Sequence, residues 1–238
     1  MALLQNTFKE KAASIIIRTY NNEATIEDAL MSALNQNFPA TDYEVVVIND
    51  GSSDGTDNLI AQFRRKDSRI VYVYRNHEGA VAAANRGIEA SVGRFITFLD
   101  SDDSFEPNYL SVMLQAAAEH PEYNFYYSAY WEQIGTIKNM MKPKNIYETI
   151  MVGNLYKKEK LIDVGKFRED LLFPEYDLLL RTRKIWKGYY VPSPLFIYRR
   201  RRGSLTSNPL WAKRAIVELA ELHPDAKTEI KLIRGYGF

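Results

Sequence analysis

The sequence predicts an α/β domain built on a mostly parallel central sheet flanked by helices, with a mixed C-terminal half. Three observations lead there. Four short, apolar, β-branched runs recur through the first hundred residues, helical patterns fill the intervals, and the alternation breaks after about residue 105. Strand–helix alternation at this spacing marks βαβ units, whose crossovers place helices against a parallel sheet. A chain of 238 residues, 46% of them hydrophobic, can bury a full core without a disulfide or a structural metal.

The elements follow in order. Ser14–Arg18, Glu44–Asn49, Arg69–Tyr74 and Arg94–Leu99 are apolar on consecutive positions, the pattern of strands buried on both faces. Glu23–Gln36 carries Ile26, Ala29, Leu30, Ala33 and Leu34 on one helical face. Asp57–Lys66 reads as a helix after the turn GSSDGT, where Asp54 or Thr56 can cap its start. Gly79–Ser91 is an alanine-rich helix that Gly93 is expected to stop. Asn108–Glu119 is helical by pattern, and Tyr123–Trp131 is strand-like and aromatic. Asp177–Trp186 reads as a helix, Leu195–Tyr198 as a short strand, and Pro209–Leu222 and Asp225–Ile233 as closing helices.

Composition removes several classes of function. There is no cysteine, which excludes thiolate catalysis, iron–sulfur clusters and cysteine zinc sites and agrees with a reducing compartment. With 31 basic and 30 acidic residues there is no general basic coat for nucleic acid. The longest hydrophobic run is five residues, far short of a membrane span, and the opening MALLQNTFKEKAA has no apolar stretch of signal-peptide length. The expectation is a cytoplasmic protein that touches a membrane only at its periphery. No GxGxxG follows a strand, and GxxxxGK[ST] and HExxH are absent. These absences argue against dinucleotide oxidoreductases, P-loop NTPases and zinc proteases.

Ligands of open parallel sheets bind beyond the carboxyl ends of the strands. Three such ends are polar here: Arg18-Thr19-Tyr20-Asn21-Asn22-Glu23, Asn49-Asp50-Gly51-Ser52-Ser53-Asp54-Gly55-Thr56 and Asp100-Ser101-Asp102-Asp103. Asp, Asn, Ser and Gly also simply make turns. Asp100, Asp102 and Asp103 are the sharpest group. Three carboxylates in four residues repel one another unless they are solvated or share a cation, and hard oxygen donors suit Mg²⁺ or Mn²⁺.

SIIIRTYNNE, VVVINDGSSDGT, the segment Gly79–Ile88 and GRFITFLDSDD, taken in order, resemble the inverting glycosyltransferases of family 2. The resemblance is strong over residues 13–110 and weakens to isolated motifs by residue 206. It implies a Rossmann-like GT-A fold in one domain over residues 1–238. Residues 13–110 would be the nucleotide-sugar half, 111–206 the acceptor half, and 207–238 closing helices. It implies that Thr19, Tyr20 and Glu23 lie around the nucleotide base and that Asp50 contacts base or ribose. Asn85 would support the nucleotide site, Asp100 would lie by the ribose and metal, and Asp102 would be the main ligand of Mn²⁺ or Mg²⁺ in a DxD motif. The general base is expected in Pro174-Glu175-Tyr176-Asp177, with Glu175 in the base position and Asp177 as its rival if the register slips. A helix starting near Tyr176 or Asp177 would hold Glu175 ionised through its dipole. The chain departs from the family pattern at Arg18, where proline is usual, and at Ala84, where arginine is common.

The implied reaction moves a hexose-type sugar from a nucleotide sugar, UDP the expected carrier, to a hydroxyl of a saccharide, glycolipid or other acceptor. Leu178–Val217 holds ten Lys or Arg and no acid. Its core, Arg199–Arg202, resembles the family's closing loop and offers Arg200 and Arg202 as clamps for the diphosphate. The same run could dock an anionic acceptor or be a solvated face. The six aromatics of Tyr123–Trp131 are core packing or a sugar-stacking groove. Two other classes share these features: a nucleotidyltransferase-like enzyme and a non-catalytic sugar-nucleotide-binding module.

Overall fold

The structure is a computed structural model and describes residues 10–148, 150, 152–201 and 208–233. The first half alternates as its sequence pattern predicts. β1 (Lys11–Thr19), α1 (Ile26–Leu34), β2 (Tyr43–Asn49), α2 (Thr56–Lys66), β3 (Ile70–Tyr74), α3 (Ala80–Ala90) and β4 (Gly93–Asp100) follow one another. The second half is mixed: β5 (Ser104–Phe105), α4 (Tyr109–Glu119), β6 (Phe125–Ile134), β7 (Ile137–Met141), β8 (Leu155–Lys157), α5 (Lys158–Asp163), α6 (Pro174–Thr182), β9 (Gly188–Arg200), α7 (Pro209–Leu222) and α8 (Lys227–Leu232). One sheet runs β3-β2-β1-β4-β8-β6-β9-β5, with β7 paired to β6. Pairing sets β1, β2, β3, β4, β6 and β9 in one direction and β5, β7 and β8 in the other.

Helices cover both faces, which explains the consecutive apolar residues. Ile15, Ile17, Val45 and Val47 join α1, α2 and α4 in one core, while Ile16, Val46 and Ile48 join α3, α6 and α7 in the other. Ile15, Ile16 and Ile17 are all fully buried, and each contributes about 1.5–3 kcal/mol on this account.

Local departures from the sequence pattern have physical reasons. Gly93 does not stop α3; Ser91 does, its Oγ donating to Gly87 O at 2.6 Å. Gly93 instead opens β4, where a Cβ would lie 2.5 Å from backbone atoms of Ala13 and Ser14. α6 begins at Pro174, earlier than expected, because a proline at the first helical position gives up only an N–H that has no partner there. β9 is far longer than Leu195–Tyr198. Pro192 and Pro194 give its first half a loop-like sequence, and the β6–β9 register shifts twice around Ala129, which pairs with Pro194. No helix among the described residues is long and apolar enough to cross a membrane.

Candidate active site

The parallel register brings three strand ends to one edge. Arg18 pairs with Ile48 of β2 and with Asp100 of β4, so Thr19, Asn49 and Asp100 end their strands within a residue of one another. The chain continues from this edge into the polar turns.

On the β2 side, Asp50 is buried and organises the loop before α3. Its Oδ1 accepts from Glu78 N at 2.8 Å and its Oδ2 from Gly79 N at 2.9 Å. His77 Nδ1 lies 3.2 Å from Asp50 Oδ2, and its ring stacks on Tyr20 with centroids 3.9 Å apart. Gly79 has φ +98°, a conformation that side chains other than glycine rarely adopt. The Glu23 carboxylate accepts from Gly55 N at 2.9 Å, and Asp54 Oδ2 accepts from Glu23 N at 3.0 Å. Asp54 also accepts from Thr56 N through Oδ1, so it caps the entry to α2 from one residue before Gly55. Thr19 is buried, and its hydroxyl has no hydrogen-bond partner among the described residues. A cavity of about 510 Å³ opens beside this lattice, lined by Asn21–Thr25, Asp54 and Arg201.

On the β4 side, Asp103 N donates to Asp100 O at 3.0 Å and closes a tight acidic turn. Asp103 is buried; Oδ1 accepts from Arg199 N at 2.8 Å, and Oδ2 has no partner among the described residues. Burial, then Asp100 and Asp102, push its carboxyl well above the usual range. Asp102 is one-third exposed at 34%, with Arg201 Nε 3.8 Å from its Oδ2 and Arg199 Nη1 donating to its carbonyl at 3.1 Å. Burial and the neighbouring Asp100 raise the Asp102 carboxyl too. The turn thus carries negative charge that the nearby arginines only partly offset. Hard oxygen donors under mutual repulsion suit a divalent cation of the Mg²⁺ or Mn²⁺ type, although among the described residues no three acidic or histidine side chains are grouped to hold one.

Glu175, in the first turn of α6, faces the same edge. Its Oε1 lies 3.7 Å from Arg18 Nη1, while Arg18 Nη2 donates to Asp100 Oδ1 at 2.5 Å. The expected effect of the helix dipole is not the dominant one here. Burial raises the Glu175 carboxyl above its ordinary value, and Arg18 and the helix's own N–H only partly oppose that. Asp177 faces elsewhere. It is fully buried, with Oδ1 2.8 Å from His223 Nε2 and Oδ2 accepting from Arg181 Nε at 3.1 Å.

The structure therefore brings Thr19, Tyr20, Glu23, Asp50, Asp100, Asp102 and Glu175 to one edge of the sheet. Asn85 is not spent on that edge. Its amide nitrogen donates to Phe167 O at 2.9 Å and Glu169 Oε1 at 2.8 Å, and its Oδ1 accepts from Phe167 N. It pins the segment that leads into α6. Arg200 pairs with Glu132 at 3.3 Å, and Arg202 lies outside the described residues. His77 belongs to none of the motifs read in the sequence, and Arg199, read there only as part of a basic run, holds the acidic turn through both its backbone and its side chain. The parallel Arg18–Asp100 pairing is what turns a family departure into part of the site.

Residues 14–187 match the family model described as Glycosyl transferase family 2. The curated relative "Glycosyltransferase GlyA" of Streptococcus pneumoniae serotype 4 is 27% identical over 255 residues, covering 94% of this chain and 35% of that protein. The chain spans less than half the length of the first curated relatives it matches. The crystal structure of S. aureus TarS 1-349 in complex with UDP-GlcNAc aligns with a TM-score of 0.68 at 22% identity, over 94% of this chain and 71% of that one. Mannosyltransferase PcManGT from Pyrobaculum calidifontis, in complex with GDP-Man and Mn²⁺, aligns with a TM-score of 0.74 at 16% identity, over 96% and 70%. The shared architecture is the GT-A fold.

Proposed function

Since the chain belongs to glycosyltransferase family 2, we propose that it transfers a hexose-type sugar from a nucleoside-diphosphate donor, with uridine the nucleoside, to an acceptor hydroxyl with inversion. The observation that carries this reading is the convergence of Glu175, Arg18 and Asp100 on the edge where Asp102 begins its turn. The bond from the anomeric carbon to the diphosphate oxygen breaks as the bond to the acceptor oxygen forms, and the diphosphate leaves with the electron pair. Glu175 takes the acceptor's hydroxyl proton. Asp102 would hold Mn²⁺ or Mg²⁺, which when bound neutralises the charge gathering on the leaving diphosphate.

The chain's other residues orient the donor. Tyr20, stacked on His77 and 43% exposed, offers a face for the base. Asp50 anchors the loop beneath it, and its Oδ1, which accepts from Glu78 N, keeps a lone pair for uracil N3–H or a ribose hydroxyl. Arg201, beside Asp102, is placed to meet diphosphate oxygens, with Arg202 next in sequence. Residues 13–110 would form the donor half and residues 111–206 the acceptor half. The acceptor is a saccharide, glycolipid or other hydroxyl compound. We place the reaction in the cytoplasm, with peripheral membrane contact where the acceptor is lipid-linked; the basic segment supports that contact.

Calorimetric titration with UDP, GDP and CDP, each with Mn²⁺, tests the donor assignment. UDP is expected to bind most tightly. Tighter binding of GDP or CDP overturns the uridine assignment, and binding of none of the three overturns the nucleotide site itself.

A further inference from the structure

Arg18 has no counterpart in the reaction as described so far, yet it is the cation at the centre of the site. Its side chain is only 16% exposed, and its Cζ lies 5.9 Å from the Phe98 ring centroid. One guanidinium nitrogen holds Asp100 at 2.5 Å, and the other lies 3.7 Å from Glu175. The third, Nε, is buried without a hydrogen-bond partner among the described residues. Register fixes this reach, because Arg18 and Asp100 sit side by side on paired parallel strands. The planar fork can address two carboxylates on different elements at once, which a lysine's single point of charge cannot do.

We propose that Arg18 is a positioning residue for transfer, spanning from Asp100 at the end of β4 to Glu175 at the start of α6 and holding the base's carboxylate in place over the strand ends. The proposal rests on Glu175 being the base. The proline that the resemblance implies at this place would offer neither charge nor donors. The need is electrostatic as well as geometric. Among the described residues, Arg18 of β1, Asp100 of β4 and Tyr156 of β8 face Glu175 from neighbouring elements. Burial and Asp100 favour the protonated acid, which cannot accept a proton from a hydroxyl; Arg18 opposes both. Asp100 in turn anchors Arg18, so that the guanidinium does not simply collapse onto the base.

The test uses full-length chain labelled with ¹³C at the glutamate carboxyls, with the Glu175 signal assigned by its loss in Glu175→Gln. In Arg18→Gln the titration midpoint of Glu175 is expected to rise by about one unit or more, roughly tenfold in proton affinity. The acid limb of kcat for nucleoside diphosphate release, with UDP-GlcNAc and GDP-mannose as probes, moves up by the same amount, while KM changes by less than about threefold. Arg18→Lys restores part of both shifts. If Arg18→Gln fails to fold, Arg18→Met fills the same buried space without charge and is read the same way. An unmoved midpoint beside an inactive Glu175→Gln overturns the proposal alone, as does a lysine no better than glutamine. Wild-type turnover in Glu175→Gln overturns the base reading and this proposal with it.

Discussion

His223 Nε2 and Asp177 Oδ1 lie 2.8 Å apart, joining the first turn of α6 to the C-terminal end of α7. Asp177 also receives Arg181 Nε at 3.1 Å and has Arg168 Nη1 at 3.7 Å, so this buried carboxylate gathers three partners. Two residues earlier on the same helix, Glu175 turns to Arg18 instead. The two acids of one short motif thus serve different ends, one packing and one facing the strand edge.

Stability separates them. Asp177→Ala leaves Arg181 and His223 without their shared acceptor inside the core, and the expected cost is about 3–5 kcal/mol, the range for breaking a buried charge pair from one side. Urea unfolding followed by circular dichroism checks this. A loss under about 1 kcal/mol would show that Asp177 is not the structural anchor its contacts indicate.

The acidic turn predicts an unusual pH dependence. Asp103, Asp102 and Glu175 all have folded-state carboxyls raised by burial above their ordinary values of 3.8, 3.8 and 4.5. The folded protein therefore binds these protons more tightly than the unfolded chain. Their contribution to stability is fully present below the ordinary values and is lost as pH rises through the raised ones. Asp103→Asn removes one such group and keeps an oxygen to accept from Arg199 N. Its stability should fall less than wild type's between about pH 4 and pH 7, the difference being about 1.4 kcal/mol for each unit of raised pKa removed. Parallel melting curves across that range decide it; equal slopes would contradict the burial account of Asp103.

The first half of the fold was legible because its signal is redundant. Residues such as Ile15, Ile16 and Ile17 are buried on both faces, so a run of apolar residues could mean little else. β8 was not legible: three residues, Leu155–Lys157, form a strand only because β4 and β6 lie on either side. β5 is shorter still and exists through its pairing with β9. In the site, the acids at the strand ends could be read from the turn sequences. What they bond could not. The engagement of Asp50 with Glu78 and Gly79, the stacking of His77 on Tyr20, and the bridge from Arg18 to Glu175 join residues far apart in sequence, and each depends on strand register or on where a helix starts.

Cation binding should show itself without catalysis. If Asp102 holds a divalent ion, Mn²⁺ at about a hundred times its dissociation constant stabilises the wild type by about 2.7 kcal/mol, read as a rise in Tm with UDP present. Asp102→Ala should lose most of that rise. An equal rise in the variant would place the ion elsewhere.

The account turns on Glu175 as the base, and nucleoside diphosphate release by Glu175→Gln, measured beside wild type across UDP- and GDP-sugars with Mn²⁺, tests it most directly. The substitution removes the proton acceptor and keeps the side chain's shape. Turnover is predicted to fall by about two to four orders of magnitude while donor affinity stays within about threefold. Wild-type turnover in Glu175→Gln would contradict the assignment.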